Sequence, residues 1–305
     1  MNYTKEYLIK YYNMPLDELL DISEKLVGNE VDFCSLISAR TGKCSQDCKY
    51  CAQSSHYNTN IETNPFVSLE EVTNTALHSK QNQAIRFAIV TSGKTPEEDD
   101  FDTILEMIKT INKIDGIKSC ASIGILNEEQ AKKLKEAGLV RFHHNINTCK
   151  SYYPQICTTH NYEDRINTTN LVKKYGMELC CGVIIGMGET IEQRVEMALE
   201  LAEIKPESIP VNVLMPIKGT PFEHYENKID EENIMRTLAI FKIANPNATL
   251  RFAGGRATRL SRANIERATK TSVESMIIGN MLTTIGIEPE EDIKMVHKLN
   301  KKIRT

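Results

Sequence analysis

The sequence predicts an α/β chain: a (β/α)8 barrel of the TIM type, with extra helices ahead of its first strand. Three observations predict it. Short apolar runs, the length of buried strands, recur eight times. Amphipathic stretches with helical spacing separate most of them. Gly116, Gly138 and Gly176 stand just before the third, fourth and fifth runs, where a left-handed glycine ends a helix. Eight strand–helix units along one chain suit a closed parallel barrel.

Taken in order, residues 1–30 read as an N-terminal extension of one or two helices, and 31–305 as the barrel. No repeat, linker or low-complexity segment divides the chain, so a single domain is expected. Strands are expected to begin at Val31, Ile85, Ile117, Leu139, Met177, Ile209, Leu250 and Met276. The clearest helices between them are 97–113, 128–137, 162–175, 192–204 and 231–244.

Strand side chains alternate between two faces, and the outer face of a barrel packs on helices. Apolar residues therefore sort outward and leave a polar lumen. Arg86, Ala88 and Val90 are expected inside in the second strand, and Lys118, Cys120 and Ser122 in the third. The fourth gives Arg141, His143, Asn145 and Asn147; the fifth gives Cys180 and Gly182; the sixth gives Asn212; the seventh gives Arg251. Buried amides and guanidiniums are costly without partners. Their convergence predicts a cofactor and a substrate held in the lumen, against the alternative of a self-satisfied polar network.

Charge and length exclude some functions. Lys and Arg total 37 against 41 Asp and Glu, a net charge of −4, with no basic block to attract nucleic acid. The longest apolar stretch, around 180–187, is too short to span a membrane. The first residues lack the apolar core of a signal peptide, and nine cysteines is an odd number, so free thiols in a reducing cytoplasm are expected.

The sharpest motif is Cys44-Ser45-Gln46-Asp47-Cys48-Lys49-Tyr50-Cys51, placed after the first strand. Catalytic groups of such barrels sit in the loops at the strand carboxyl ends. Cubane clusters normally take four thiolates, and this loop supplies three. One iron would stay open for a substrate. The competing readings are a zinc knot completed by His56, in a spacing unusual for zinc, and a non-catalytic metal- or ligand-binding barrel.

This cysteine spacing resembles that of the radical S-adenosylmethionine (SAM) enzymes. A longer ordered set of motifs resembles the biotin synthases. It comprises Tyr50-Cys51-Ala52-Gln53-Ser54-Ser55, Arg86-Phe87, His144-Asn145-Ile146-Asn147-Thr148, Thr158-Thr159 with Tyr162-Glu163-Asp164-Arg165, Gly186-Met187-Gly188-Glu189-Thr190, Pro206 to Asn212, Lys218-Gly219-Thr220-Pro221 and Arg251 to Arg256. The resemblance implies sulfur insertion into dethiobiotin to give biotin, by a sulfurtransferase that cleaves SAM to a 5′-deoxyadenosyl radical. It implies a 4Fe-4S cluster on Cys44, Cys48 and Cys51, and SAM held by Tyr50, Asn147, Arg165, Gly186 and Glu189. Asn145 and Asn212 would hold the substrate, with Arg86 supporting the lumen. Reduced flavodoxin or ferredoxin would supply electrons, and a homodimer would form. Other radical SAM enzymes on this scaffold, of the hydrogenase-maturase or methylornithine-synthase kind, are the alternative.

The resemblance breaks at its second, sulfur-donating cluster, usually a 2Fe-2S centre held by three strand cysteines and one arginine. Cys120, Cys180 and Arg251 match three of those ligands, but the second strand carries Ala88 at the fourth. Cys149 and Cys181 are the candidate replacements, for a cluster of altered, four-iron type. Parity points Cys181 outward unless a bulge turns it in. Cys34 and Cys157 read as small buried hydrophobes.

Overall fold

The computed structural model describes residues 3–279 and 286–305. Two helices, α1 (Lys5–Tyr12) and α2 (Leu16–Glu24), lead into β1 (Glu30–Arg40), α3 (Leu69–Gln81), β2 (Arg86–Thr91), α4 (Glu98–Ile111), β3 (Lys118–Ser122), α5 (Glu128–Glu136) and β4 (Arg141–His143). There follow α6 (Tyr153–Ile156), α7 (Tyr162–Lys174), β5 (Glu178–Cys180), β6 (Val183–Ile185), α8 (Ile191–Ile204), β7 (Ser208–Val213) and α9 (Glu231–Ala244). The chain closes with β8 (Thr249–Phe252), α10 (Arg256–Arg259), α11 (Arg262–Thr271), β9 (Ser275–Ile277), α12 (Pro289–Lys298) and β10 (Lys302–Ile303). All pairings between strands are parallel. β9 returns to β1 through Asp32↔Ser275 and Cys34↔Ile277, which closes the barrel.

Eight barrel positions are filled as the sequence predicts, with β5 and β6 sharing the fifth. That strand breaks at Gly182 for a steric reason. A Cβ there would lie 1.9 Å from the carbonyl oxygen of Pro210 on β7, so only glycine fits. Asn145 takes over the freed Gly182 N–H at 3.0 Å. β4 ends at His143, earlier than expected, and the chain beyond it bridges Val183 at Asn147, which is left-handed at φ 68°. Two of the three predicted helix stops hold: Gly138 and Gly176, at positive φ, directly follow the C-caps of α5 and α7, whereas α4 already ends at Ile111 and Gly116 turns the chain four residues after its C-cap, Asn112. Asn127–Gln130, Asn161–Asp164 and Thr190–Gln193 start α5, α7 and α8 as reciprocal capping boxes.

The core lies between barrel and helices. Phe33, Phe87, Ile89, Phe142, Leu179, Ile209 and Met276 are fully buried there. The alternation rule sorts the lumen correctly, since Ala88, Val90, Ser122, His143, Asn145 and Asn212 all line it. α1 packs on α8 and α9, and α2 on α9. Leu8, Leu19 and Leu20 are buried, each contributing roughly 1.5–3 kcal/mol. Tyr12 ties this extension down: its hydroxyl donates to Asn233 Oδ1 at 2.9 Å and accepts from Arg194 Nε at 3.2 Å. Among the described residues, no helix is long and apolar enough to cross a membrane.

Candidate active site: a cluster loop above a thiol-lined floor

The loop after β1 presents its three cysteines by folding on its own backbone. Cys44 N–H donates to the Gln53 carbonyl, Ser55 N–H to the Cys44 carbonyl and Cys51 N–H to the Cys48 carbonyl, at 2.8–3.0 Å. Gly42, at φ 82°, makes the entry turn and donates to Gln53 Oε1. The loop is pinned to the segment before α7 by Asp47. That carboxylate accepts the Thr158 and Thr159 amides at 2.9 and 3.1 Å and both of their hydroxyls. Burial pushes the Asp47 carboxyl up, but these donors outweigh it and hold it well below the usual range.

Cys44, Cys48 and Cys51 open on a cavity of about 140 Å³, which Arg165 and His160 also line. Arg165 is not the solvated helix charge its place in the first turn of α7 would suggest. Its guanidinium donates to Tyr153 Oη at 3.1 Å and meets His160 Nε2 at 2.6 Å. Tyr50, Cys51 and Gln53 also line a second cavity of about 300 Å³, the barrel lumen. Apolar Leu36, Val90, Ile184, Met215 and Ile277 share its wall with His143, Asn145 and Asn212. Burial, then the Arg251 charge, keeps His143 neutral by pushing its pKa well down. Asn212 donates to the Val183 carbonyl at 3.1 Å and accepts from Gly254 N–H at 2.9 Å. Each amide therefore keeps hydrogen-bonding capacity for a ligand.

The floor is a buried charge cluster. Glu178 clamps Arg86 at 3.0 Å and Arg141 at 2.7 Å. Arg251, fully buried, donates to Ser275 Oγ at 2.8 Å and reaches Cys180 Sγ at 3.8 Å. Its Nη2 stands 3.7 Å from Asp32 Oδ1, too far for a hydrogen bond, and both atoms lack a partner. Arg86 Nε and Nη1 and Arg141 Nη1 are orphaned too. Three guanidiniums face two carboxylates, so the floor carries one surplus positive charge among unsatisfied donors. Such a place is built for an anionic group. The donor set fits a thiolate-bound iron–sulfur cluster.

Two family models match the chain. The Radical SAM superfamily covers residues 38–201, and the Biotin and Thiamin Synthesis associated domain covers 210–302. The biotin synthase of Acetivibrio thermocellus is 43% identical over 92% of this chain and 87% of its own. That of Clostridium tetani is 44% identical over 94% and 89%. This chain belongs to the biotin synthase family. With the family come a SAM-cleaving 4Fe-4S cluster and a second iron–sulfur cluster. Solved structures agree on the fold alone. Methylornithine synthase superposes with a TM-score of 0.83 at 15% identity, over 100% of this chain and 95% of its own. The FeFe-hydrogenase maturase HydG from Carboxydothermus hydrogenoformans gives 0.85 at 15%, over 99% and 76%.

Against that family pattern, some expectations need correction. Cys149 does not reach the floor. Its thiol sits 3.3 Å from Ser151 Oγ, in the apolar core near Glu196 and Glu200. The break at Gly182 does not turn Cys181 inward either; it stays in the same core, toward Lys173 of α7. Glu189 turns its carboxylate onto its own loop, accepting the Gly186 and Met187 amides at 2.8 and 2.7 Å and pairing Arg194 at 3.2 Å. Buried among these partners, it shapes the Gly186 turn. His56 points to the Ser45 carbonyl, so it completes no zinc knot.

Cys34 and Cys157 are more than packing residues. Cys157 Sγ lies 3.8 Å from Cys48 and 2.6 Å from His160 Nδ1, and among the described residues these three alone are spaced as ligands of one ion. Cys34 lines the lumen. Applying the alternation rule to β1, with Phe33 and Ile37 outward, finds both Cys34 and Asp32. Glu178 had no such signal, because strand spacing does not say which arginines a carboxylate will clamp.

Proposed function

We propose that this protein inserts sulfur into dethiobiotin to form biotin. What supports the reading most directly is two adjoining cavities that share Tyr50, Cys51 and Gln53, with a three-cysteine loop at the mouth and a cationic, cysteine-bearing floor buried below. When bound, the loop cluster and SAM supply a 5′-deoxyadenosyl radical, and the floor cluster supplies sulfide. The chain's residues do the rest by position. Arg165 is a fixed cation aimed at the carboxylate of SAM, held by Tyr153 and His160. Tyr50 lines both cavities and sits between mouth and lumen. Asn147 keeps an unpartnered Nδ2 for the ribose side of SAM, and Gly186 lets the neighbouring loop approach. Asn145 and Asn212 offer the donors and acceptors a ureido ring needs. The apolar lumen wall accepts the aliphatic chain and excludes water from a carbon radical.

The floor cluster in this reading uses Cys120, Cys180 and Arg251, as a 2Fe-2S centre or as a four-iron type. Flavodoxin or ferredoxin is the electron donor, and the working unit is a homodimer. Oxygen-free incubation with a reductant, SAM and dethiobiotin, followed by mass spectrometry, tests the activity. Biotin and 5′-deoxyadenosine are expected together. Formation of 5′-deoxyadenosine without biotin would move the chain to another radical SAM reaction on this scaffold.

A further inference from the structure

We infer that Cys34 of β1 is the missing thiolate of the floor cluster. The inference rests on the reading that a second cluster occupies the floor. β1 pairs β2 with Cys34 opposite Arg86, and β9 with Cys34 opposite Ile277, so its side chain enters the lumen just above the buried arginines. β2 in turn pairs β3 with Ala88 opposite Cys120. Cys34 thus stands on the strand next to Ala88, one pleat nearer the floor. Cys120 is level with lumen-lining Ala88, and Cys180 with lumen-lining His143, so all three thiols face inward.

Their surroundings point to a ligand. Cys34, Cys120 and Cys180 are at most 1% exposed, and unpartnered nitrogens of Arg86, Arg141 and Arg251 lie at the same floor. A neutral thiol is only a weak acceptor for a guanidinium, whereas a thiolate on iron is a strong one. Cys149 and Cys181 belong to the outer apolar core; Cys34, Cys120 and Cys180 do not.

The test is anaerobic reconstitution followed by iron and sulfide counting, Mössbauer and absorption spectroscopy. Wild type is compared with Cys34→Ala, Cys34→Ser, Cys120→Ala, Cys149→Ala and the double variant Cys34→Ala/Ala88→Cys. In Cys34→Ala the iron beyond the loop cluster is lost, while SAM cleavage to 5′-deoxyadenosine persists and shows that the fold is intact. Cys34→Ser keeps iron but shifts its charge-transfer bands, as oxygen replaces sulfur. Ala88→Cys on the Cys34→Ala background restores the iron. Cys149→Ala leaves it unchanged. Floor iron and spectrum unaltered in Cys34→Ala but lost in Cys120→Ala would overturn the assignment and leave the floor cluster standing. Wild type holding iron in the loop alone would instead overturn the reading beneath it.

Discussion

The mouth and the floor of this barrel gather their thiols by opposite means. At the mouth, Cys44, Cys48 and Cys51 come from eight consecutive residues, and the loop's own hydrogen bonds shape the site. At the floor, Cys34, Cys120, Cys180 and Arg251 come from four strands, and the shape belongs to the barrel. A site within one loop survives in the spacing of a sequence. A site spread over four strands survives only in the facing of each residue, where one unassigned strand hides a thiol.

The comparison breaks most visibly at the mouth. Cys48→Ala is expected to cut 5′-deoxyadenosine formation by about 10³-fold or more, since only two of the loop's three thiolates would remain to hold the cluster. It should leave thermal stability nearly intact, because the loop is held by backbone bonds and Asp47. A large drop in unfolding temperature in that variant would mean the mouth, like the floor, is structural.

The floor should respond the other way. Among the described residues Asp32 is the one acid paired with Arg251, so Arg251→Met leaves a buried carboxylate unpaired. The expected loss is about 3–5 kcal/mol in denaturant unfolding. A loss under about 1 kcal/mol would show that water reaches this floor and that its charges are screened.

Between the two lies the substrate region. Asn212→Ala should raise the KM for dethiobiotin about tenfold, the worth of one or two hydrogen bonds. Substrate-independent SAM cleavage should not change. An equal fall in both activities would place Asn212 in the scaffold rather than at the substrate.

Glu200, on α8 and outside both regions, sets the baseline for pH effects. Burial raises its carboxyl to about 7, despite donors from Lys150 N–H at 3.0 Å and Tyr162 Oη at 2.9 Å. The folded chain therefore binds this proton more tightly than the unfolded one, whose value is near 4.5. Stability should fall as pH rises from about 4.5 to about 7 and then level off. Glu200→Gln should flatten that slope, a change of about 1 kcal/mol after allowance for partial exposure, seen in thermal unfolding at pH 5 and pH 8.

The barrel was legible because period and punctuation agree. Apolar alternation set the strand faces, and Gly138 and Gly176 marked two helix stops that the backbone confirms. The cluster loop was legible because its ligands are contiguous. Side-chain partners were not. Spacing alone cannot say that Glu189 bonds its own loop, or that Arg165 is gripped by Tyr153 and His160, since both depend on loops folding back. Cys149 and Cys181 looked available as surplus thiols, yet both face helices.

A single-turnover experiment reaches the central claim, that radical generation at the mouth draws sulfur from the floor. The protein is loaded with iron and heavy-isotope sulfide, freed of unbound sulfide, and given reductant, SAM and dethiobiotin without oxygen. The account predicts biotin carrying the heavy sulfur, together with loss of the floor cluster's absorption. Biotin with sulfur of natural isotopic composition, or turnover that leaves the floor spectrum unchanged, would contradict it.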